Sequence, residues 1–116
     1  MKQKMLRGFG LLVFLFGIFF GWDGHAFAAT YYLATNGNDS NSCIAAQSAS
    51  SAKQTFSSTK GCLAAGDTLV IRDGTYSGTS NAFSGLPNGS ASGGYITIKA
   101  ENEGSVIVTS GLTLDN

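Results

Sequence analysis

The stretch "NGNDSNS", Asn36 to Ser42, gathers the side-chain oxygens of Asn36, Asn38 and Asp39 within four residues. Such a cluster invites a calcium reading. It lacks the D-x-[DN]-x-[DN]-G order and the late Glu of a helix–loop–helix calcium site, and one carboxylate among amides makes a poor cation cage. Turn chemistry accounts for the same residues, so no metal ligand is assigned. Tyr31, Tyr32, Tyr76 and Tyr95 could stack on sugar rings if exposed together, whereas aromatics at strand ends ordinarily pack. The single histidine, His25, precedes residue 28, so the chain beyond it has neither a Ser-His-Asp site nor a histidine-based zinc site. Asn38-Asp39-Ser40 and Asn88-Gly89-Ser90 match the short N-glycosylation pattern.

These residues must be placed on a chain that begins with an export pattern. Lys2, Lys4 and Arg7 form a basic start, the fourteen residues Gly8 to Gly21 are uncharged and mostly apolar, and Ala26 and Ala28 put small residues at −3 and −1 of a cleavage site. The layout predicts a signal peptide over residues 1–28. A membrane anchor is the rival, but fourteen residues fall short of the ~20 that span a bilayer. Beyond residue 28, four basic residues face six acidic ones, a net charge of −2. That balance implies no nucleic-acid partner and, once the leader is removed, no membrane partner. The expected location is secreted, at the cell surface or periplasmic. Two cysteines remain, Cys43 and Cys62, and in an oxidising compartment a disulfide is favoured over two buried thiols. It would close a loop of about 20 residues, worth roughly 3 kcal/mol.

The elements expected to carry these groups are short. "TYYLAT" reads as an opening strand, and Asn36-Gly37 as a turn favouring positive φ. Thr55 can cap a helix with Phe56 and Leu63 on one face, ended by a left-handed Gly66. In "AAGDTLVIRDGTYSG", Leu69 and Ile71 face one side of a strand, Val70 and Arg72 the other; Asp67 reads as a turn residue bonding nearby backbone. Ser77 to Gly94 is a long Ser/Gly/Asn-rich loop. "YITIKA" alternates Ile96 and Ile98 inward against Tyr95, Thr97 and Lys99 outward; "SVIVTS" and "GLTLDN" follow. Strands of three to five residues with turns of similar length suggest a coil around an axis, each strand pairing with the next coil instead of its sequence neighbour.

"TYYLATNGNDSNS", the cysteine-bracketed Ala/Ser segment, "GCLAAGDTLVIRDGTYSG" and "GGYITIKAENEGSVIV", in that order, resemble the N-terminal portion of secreted right-handed parallel β-helix proteins, the pectate (pectin) lyase-like superfamily. The resemblance covers residues 30–116 and implies a mainly β solenoid. Residues 29–66 would be an N-terminal cap with one short helix and the disulfide, and residues 67–116 the first coils. Phe56 and Leu63 would plug the bore that Leu69, Ile71, Ile96, Ile98, Val106 and Val108 line. Repeat arrays need about three stacked units and capped ends, so the resemblance implies that the chain is a fragment of a longer parent.

The resemblance further implies an acidic polysaccharide as partner, with Ca²⁺ in the full-length parent and none in this chain. Arg72 and Lys99 would be substrate contacts, their bland alternative being solvated charges at a coil edge. Whether the parent is an enzyme stays open, since this fold hosts lyases, hydrolases and non-catalytic surface or adhesin-like modules. The catalytic face of the family lies in later coils, so the 116-residue chain itself is expected to be inactive and no catalytic residue is assigned.

Overall fold

A computed structural model describes residues 27–111. Residues 1–26 of the expected 1–28 signal peptide, and all of the expected final strand "GLTLDN" after Gly111, lie outside the described residues. Strand β1 (Thr30–Leu33) opens the fold, with Tyr31 and Leu33 buried and Thr30 exposed. Aromatic and branched side chains alternating across a pleat favour an extended chain with one buried face. Two 3₁₀ turns, Ala45–Gln47 and Ala49–Ser51, lead to helix α1 (Phe56–Thr59). Strands β2 (Thr68–Ile71), β3 (Gly74–Tyr76), β4 (Thr97–Ala100) and β5 (Val106–Val108) follow.

All named strand pairs are parallel. β2 is central in a three-stranded sheet ordered β1-β2-β4, and β3 pairs β5 in a two-stranded sheet. The register stacks Tyr31, Leu69 and Ile98 in one column and Leu33, Ile71 and Ala100 in another. Leu33, Leu69 and Ile71 are buried in these columns, and Ile98 packs partly buried against the same core. Lys53 adds a one-residue parallel bridge on the far side of β1, exchanging backbone hydrogen bonds with Tyr32 and Ala34.

The expectation of a right-handed parallel β-helix is corrected. Parallel pairing between sequence-distant strands is present, but no repeated solenoid coil is evident among the described residues; they form two small sheets, one short α-helix and a disulfide. The core shows why. Its two columns close against Phe56, Leu63, Ala46 and Phe83, which come from a helix, a connecting segment, a 3₁₀ turn and a long loop. A solenoid needs the same inward rows repeated layer on layer, whereas this interior is filled by groups that occur once each. Val108, expected to line the bore, is 39% exposed on β5, which among the described residues pairs with β3 alone.

Helix α1 begins where the sequence predicts. Thr55 is its extended N-cap and its hydroxyl accepts from the Ser58 N–H at 3.4 Å. The helix then tightens into a 3₁₀ turn at Lys60–Cys62 and stops at an extended Leu63. Gly66 is left-handed, at φ +90°, but it forms the turn before β2 and does not end the helix. The Cys43–Cys62 disulfide joins the end of this helical segment to the polar loop, with Cα atoms 5.4 Å apart. Asn36-Gly37 makes a turn without positive φ. Gly37 is required there by proximity, because a Cβ would collide with the Lys53 carbonyl oxygen.

Candidate ligand-contacting face

The outward face of the three-stranded sheet carries the residues singled out for substrate contact. Its columns are Thr30, Thr68 and Thr97, then Tyr32, Val70 and Lys99. Side chains alternate across a strand, so Tyr95, Thr97 and Lys99 share one side of the chain, and their exposure alternates against half-buried Ile96 and Ile98. Tyr95 is 90% exposed. Val70 faces outward yet is buried, as a central-strand residue flanked by Tyr32 and Lys99.

Arg72 continues the outward side of β2, diagonal to Lys99. The parallel ladder runs on past both strands, with the Arg72 N–H donating to Leu33 O at 2.8 Å and the Glu101 N–H to Ile71 O at 2.7 Å. That places Glu101 beside Arg72, whose Nε donates to Glu101 Oε2 at 3.1 Å, both side chains a little over one-third exposed. Arg72 is therefore already paired. Lys53 donates to the Asp39 and Asn41 carbonyls, and Lys60 to the Ser84 carbonyl. Lys99 is the one cation of the described residues with neither an ion pair nor a side-chain hydrogen bond within them. The neighbouring acids are engaged in part: the Asp73 carboxylate accepts from Asn102 Nδ2 at 3.0 and 3.1 Å.

The tyrosines do not assemble into one stacking platform. Tyr31 is in the core, Tyr32 is half-buried, and Tyr76 is fully buried with its single hydroxyl proton shared between Arg72 O at 2.7 Å and the longer Leu33 O at 3.2 Å. Burial pushes the Tyr76 phenol up, and backbone hydrogen bonding and the Arg72 charge offset this only in part. Tyr95 alone presents an open ring.

The Asn36–Asp39 cluster does structural work. Asp39 Oδ1 accepts the Gln54 and Thr55 N–H groups, both at 2.9 Å, and Oδ2 accepts the Thr55 hydroxyl at 2.8 Å. Asn38 Oδ1 accepts the Ser40 N–H. The cation of this loop is Lys53, 6% exposed, whose Nζ lies 2.6 Å from Asn41 O and 3.1 Å from Asp39 O. Burial pushes the Asp39 carboxyl up, but the Thr55 and Gln54 hydrogen bonds and the Lys53 charge outweigh it and hold the group below its usual range. Among the described residues no three His, Cys, Asp or Glu side chains converge as a metal site.

Sequence reasoning missed Phe83, Lys53 and the reach of Asp67, whose carboxylate bonds Ala64 nearby and also Ala29. Phe83 was discoverable as the one aromatic residue of the Ser/Gly/Asn-rich loop. Comparison with family models, curated proteins and solved structures finds no match for this chain. The disulfide is compatible with an oxidising, extracytoplasmic setting, and no helix among the described residues is long and apolar enough to cross a membrane.

Proposed function

We propose that this is an exported binding protein whose outward sheet face contacts an acidic polysaccharide. The observation that carries the reading is Lys99, an exposed cation without a partner among the described residues, on the same side of its strand as the open ring of Tyr95 and the hydroxyl of Thr97. A sugar acid offers a carboxylate for the ammonium, a C–H face for the ring and hydroxyls for the threonine column. Arg72 takes a secondary part, since a ligand carboxylate would have to compete with Glu101 for its guanidinium. The face holds groups suited to contact. Bond cleavage would need a buried, convergent acid–base set, and Lys99 lies opposite Val70.

Affinity electrophoresis through gels containing a polyuronate tests the reading, with a neutral glucan as control. The wild-type protein is expected to be retarded by the polyuronate alone, and less so at high salt, where exposed charges are screened. Lys99→Glu should abolish the retardation and Tyr95→Ala weaken it, both with unchanged circular dichroism. No retardation of the wild type, or equal retardation of all three proteins, would overturn it.

A further inference from the structure

Ala29 and Asp67 lie 38 residues apart in the chain and meet at the mouth of the three-stranded sheet. The Ala29 N–H donates to Asp67 Oδ1 at 2.8 Å, and the Ala64 N–H donates to Oδ2 at 2.8 Å. The Thr68 N–H in turn donates to the Ala29 carbonyl at 2.9 Å. Both backbone polar groups of Ala29 are thus held just ahead of β1. One residue earlier the chain is in solvent: Ala28 is exposed and Phe27 is 92% exposed. The Ala28–Ala29 peptide bond therefore sits at the boundary between open and anchored chain.

The anchor is chemically lopsided. Asp67 is 5% exposed and its carboxylate meets two neutral N–H donors, with no Lys or Arg paired to it among the described residues. A buried carboxylate is costly without a cation, and it has acceptor positions for more than two donors.

We propose that the Ala28–Ala29 bond is a proteolytic processing site and that Asp67 is the counter-ion of the α-ammonium that processing creates on Ala29. Hydrolysis consumes one water. The C–N bond breaks, oxygen from water completes a carboxylate on Ala28, and the protons released convert the Ala29 nitrogen to an ammonium. That nitrogen already stands 2.8 Å from Oδ1, so an N–H···O contact becomes a charge-assisted bond with no movement of β1. The small residues at Ala26 and Ala28 suit an endopeptidase of the leader-removing type. Cleavage would then lock the first strand, where a new chain terminus would ordinarily fray.

The full chain, expressed in a bacterium that exports it, is recovered from the extracytoplasmic fraction, and its first residues are read by N-terminal sequencing and intact mass. The expected product begins at Ala29; an uncleaved chain or another start overturns the proposal. The Ala29 amine is then labelled with acetic anhydride across a pH series and followed by mass spectrometry. In the folded protein the labelling midpoint should lie about one pH unit above that of the urea-unfolded chain, slowing labelling roughly ten-fold at neutral pH. Asp67→Asn should remove the displacement. An unchanged or lowered midpoint in the folded wild type overturns the ion pair, and this comparison decides even if the variant does not fold.

Discussion

The ring of Phe83 lies on the ring of Phe56, centroids 4.0 Å apart and planes inclined by 21°. These are the two phenylalanines of the chain beyond residue 28, one opening α1 and the other in the long polar loop. The loop is fastened at the same place by Asn81, whose Oδ1 accepts the Phe56 N–H at 3.0 Å and whose Nδ2 donates to Ser77 O. Phe83→Ala should therefore cost about 3–5 kcal/mol, as truncating a buried phenylalanine usually does. With Phe56→Ala in the same chain the loss should fall short of the sum, because the rings share one contact. Urea unfolding of the two single variants and the double variant checks both expectations; full additivity would mean that the loop folds independently of the helix.

Asp39 ties the polar loop to the helix entrance only while ionised. Its folded pKa is lowered, so its contribution is present above the unfolded value of 3.8 and is lost as pH falls through the lower folded value. Asp39→Ala should cost roughly 2 kcal/mol at neutral pH, in the range of hydrogen bonds to a charged group, and the gap to wild type should close in strong acid. Urea midpoints measured for both proteins across the acid range decide it.

Tyr76 has the opposite sign. Its folded pKa is raised above 10.0, so the stability linked to its neutral form is intact below that value and lost as pH climbs through the folded pKa. Tyr76→Phe removes the hydroxyl proton shared by Arg72 O and Leu33 O, and should be destabilising by about 1 kcal/mol at neutral pH. Its melting temperature should change less than that of the wild type in strong alkali.

Two glycines should respond oppositely to alanine. Gly37→Ala drives a Cβ into the Lys53 carbonyl, a backbone group that cannot swing aside, and should cost more than about 1 kcal/mol. Gly61→Ala, in the 3₁₀ turn with open space around it, should stabilise by roughly 0.5–1 kcal/mol through a less mobile unfolded chain. Thermal unfolding of both variants gives the comparison.

Reduction of Cys43–Cys62, or its replacement by two serines, should lower stability by about 3 kcal/mol, because the unfolded chain regains the freedom of the closed loop. A shift much smaller than this in urea unfolding would mean that the polar loop and helix hold each other without the bond.

What the chain dictates on its own here is local. The cap at Thr55, the inward Leu69 and Ile71, and the alternation of Ile96 and Ile98 against Tyr95, Thr97 and Lys99 follow from residue type and spacing within a few positions. The outward placement of Arg72 and Lys99 was legible for the same reason. The tertiary structure decided what lies across from each. The register of β2 against β4 sets Glu101 beside Arg72 and leaves Lys99 opposite Val70, and no local pattern encodes a register between strands some thirty residues apart. Long-range closure likewise brought Phe83 onto Phe56, Lys53 into the Asn/Asp loop and Asp67 onto Ala29. It also replaced the expected repeating coil by two small sheets, because the space between them is filled by side chains from unlike elements, and such packing is settled by shape and burial once the whole chain has come together.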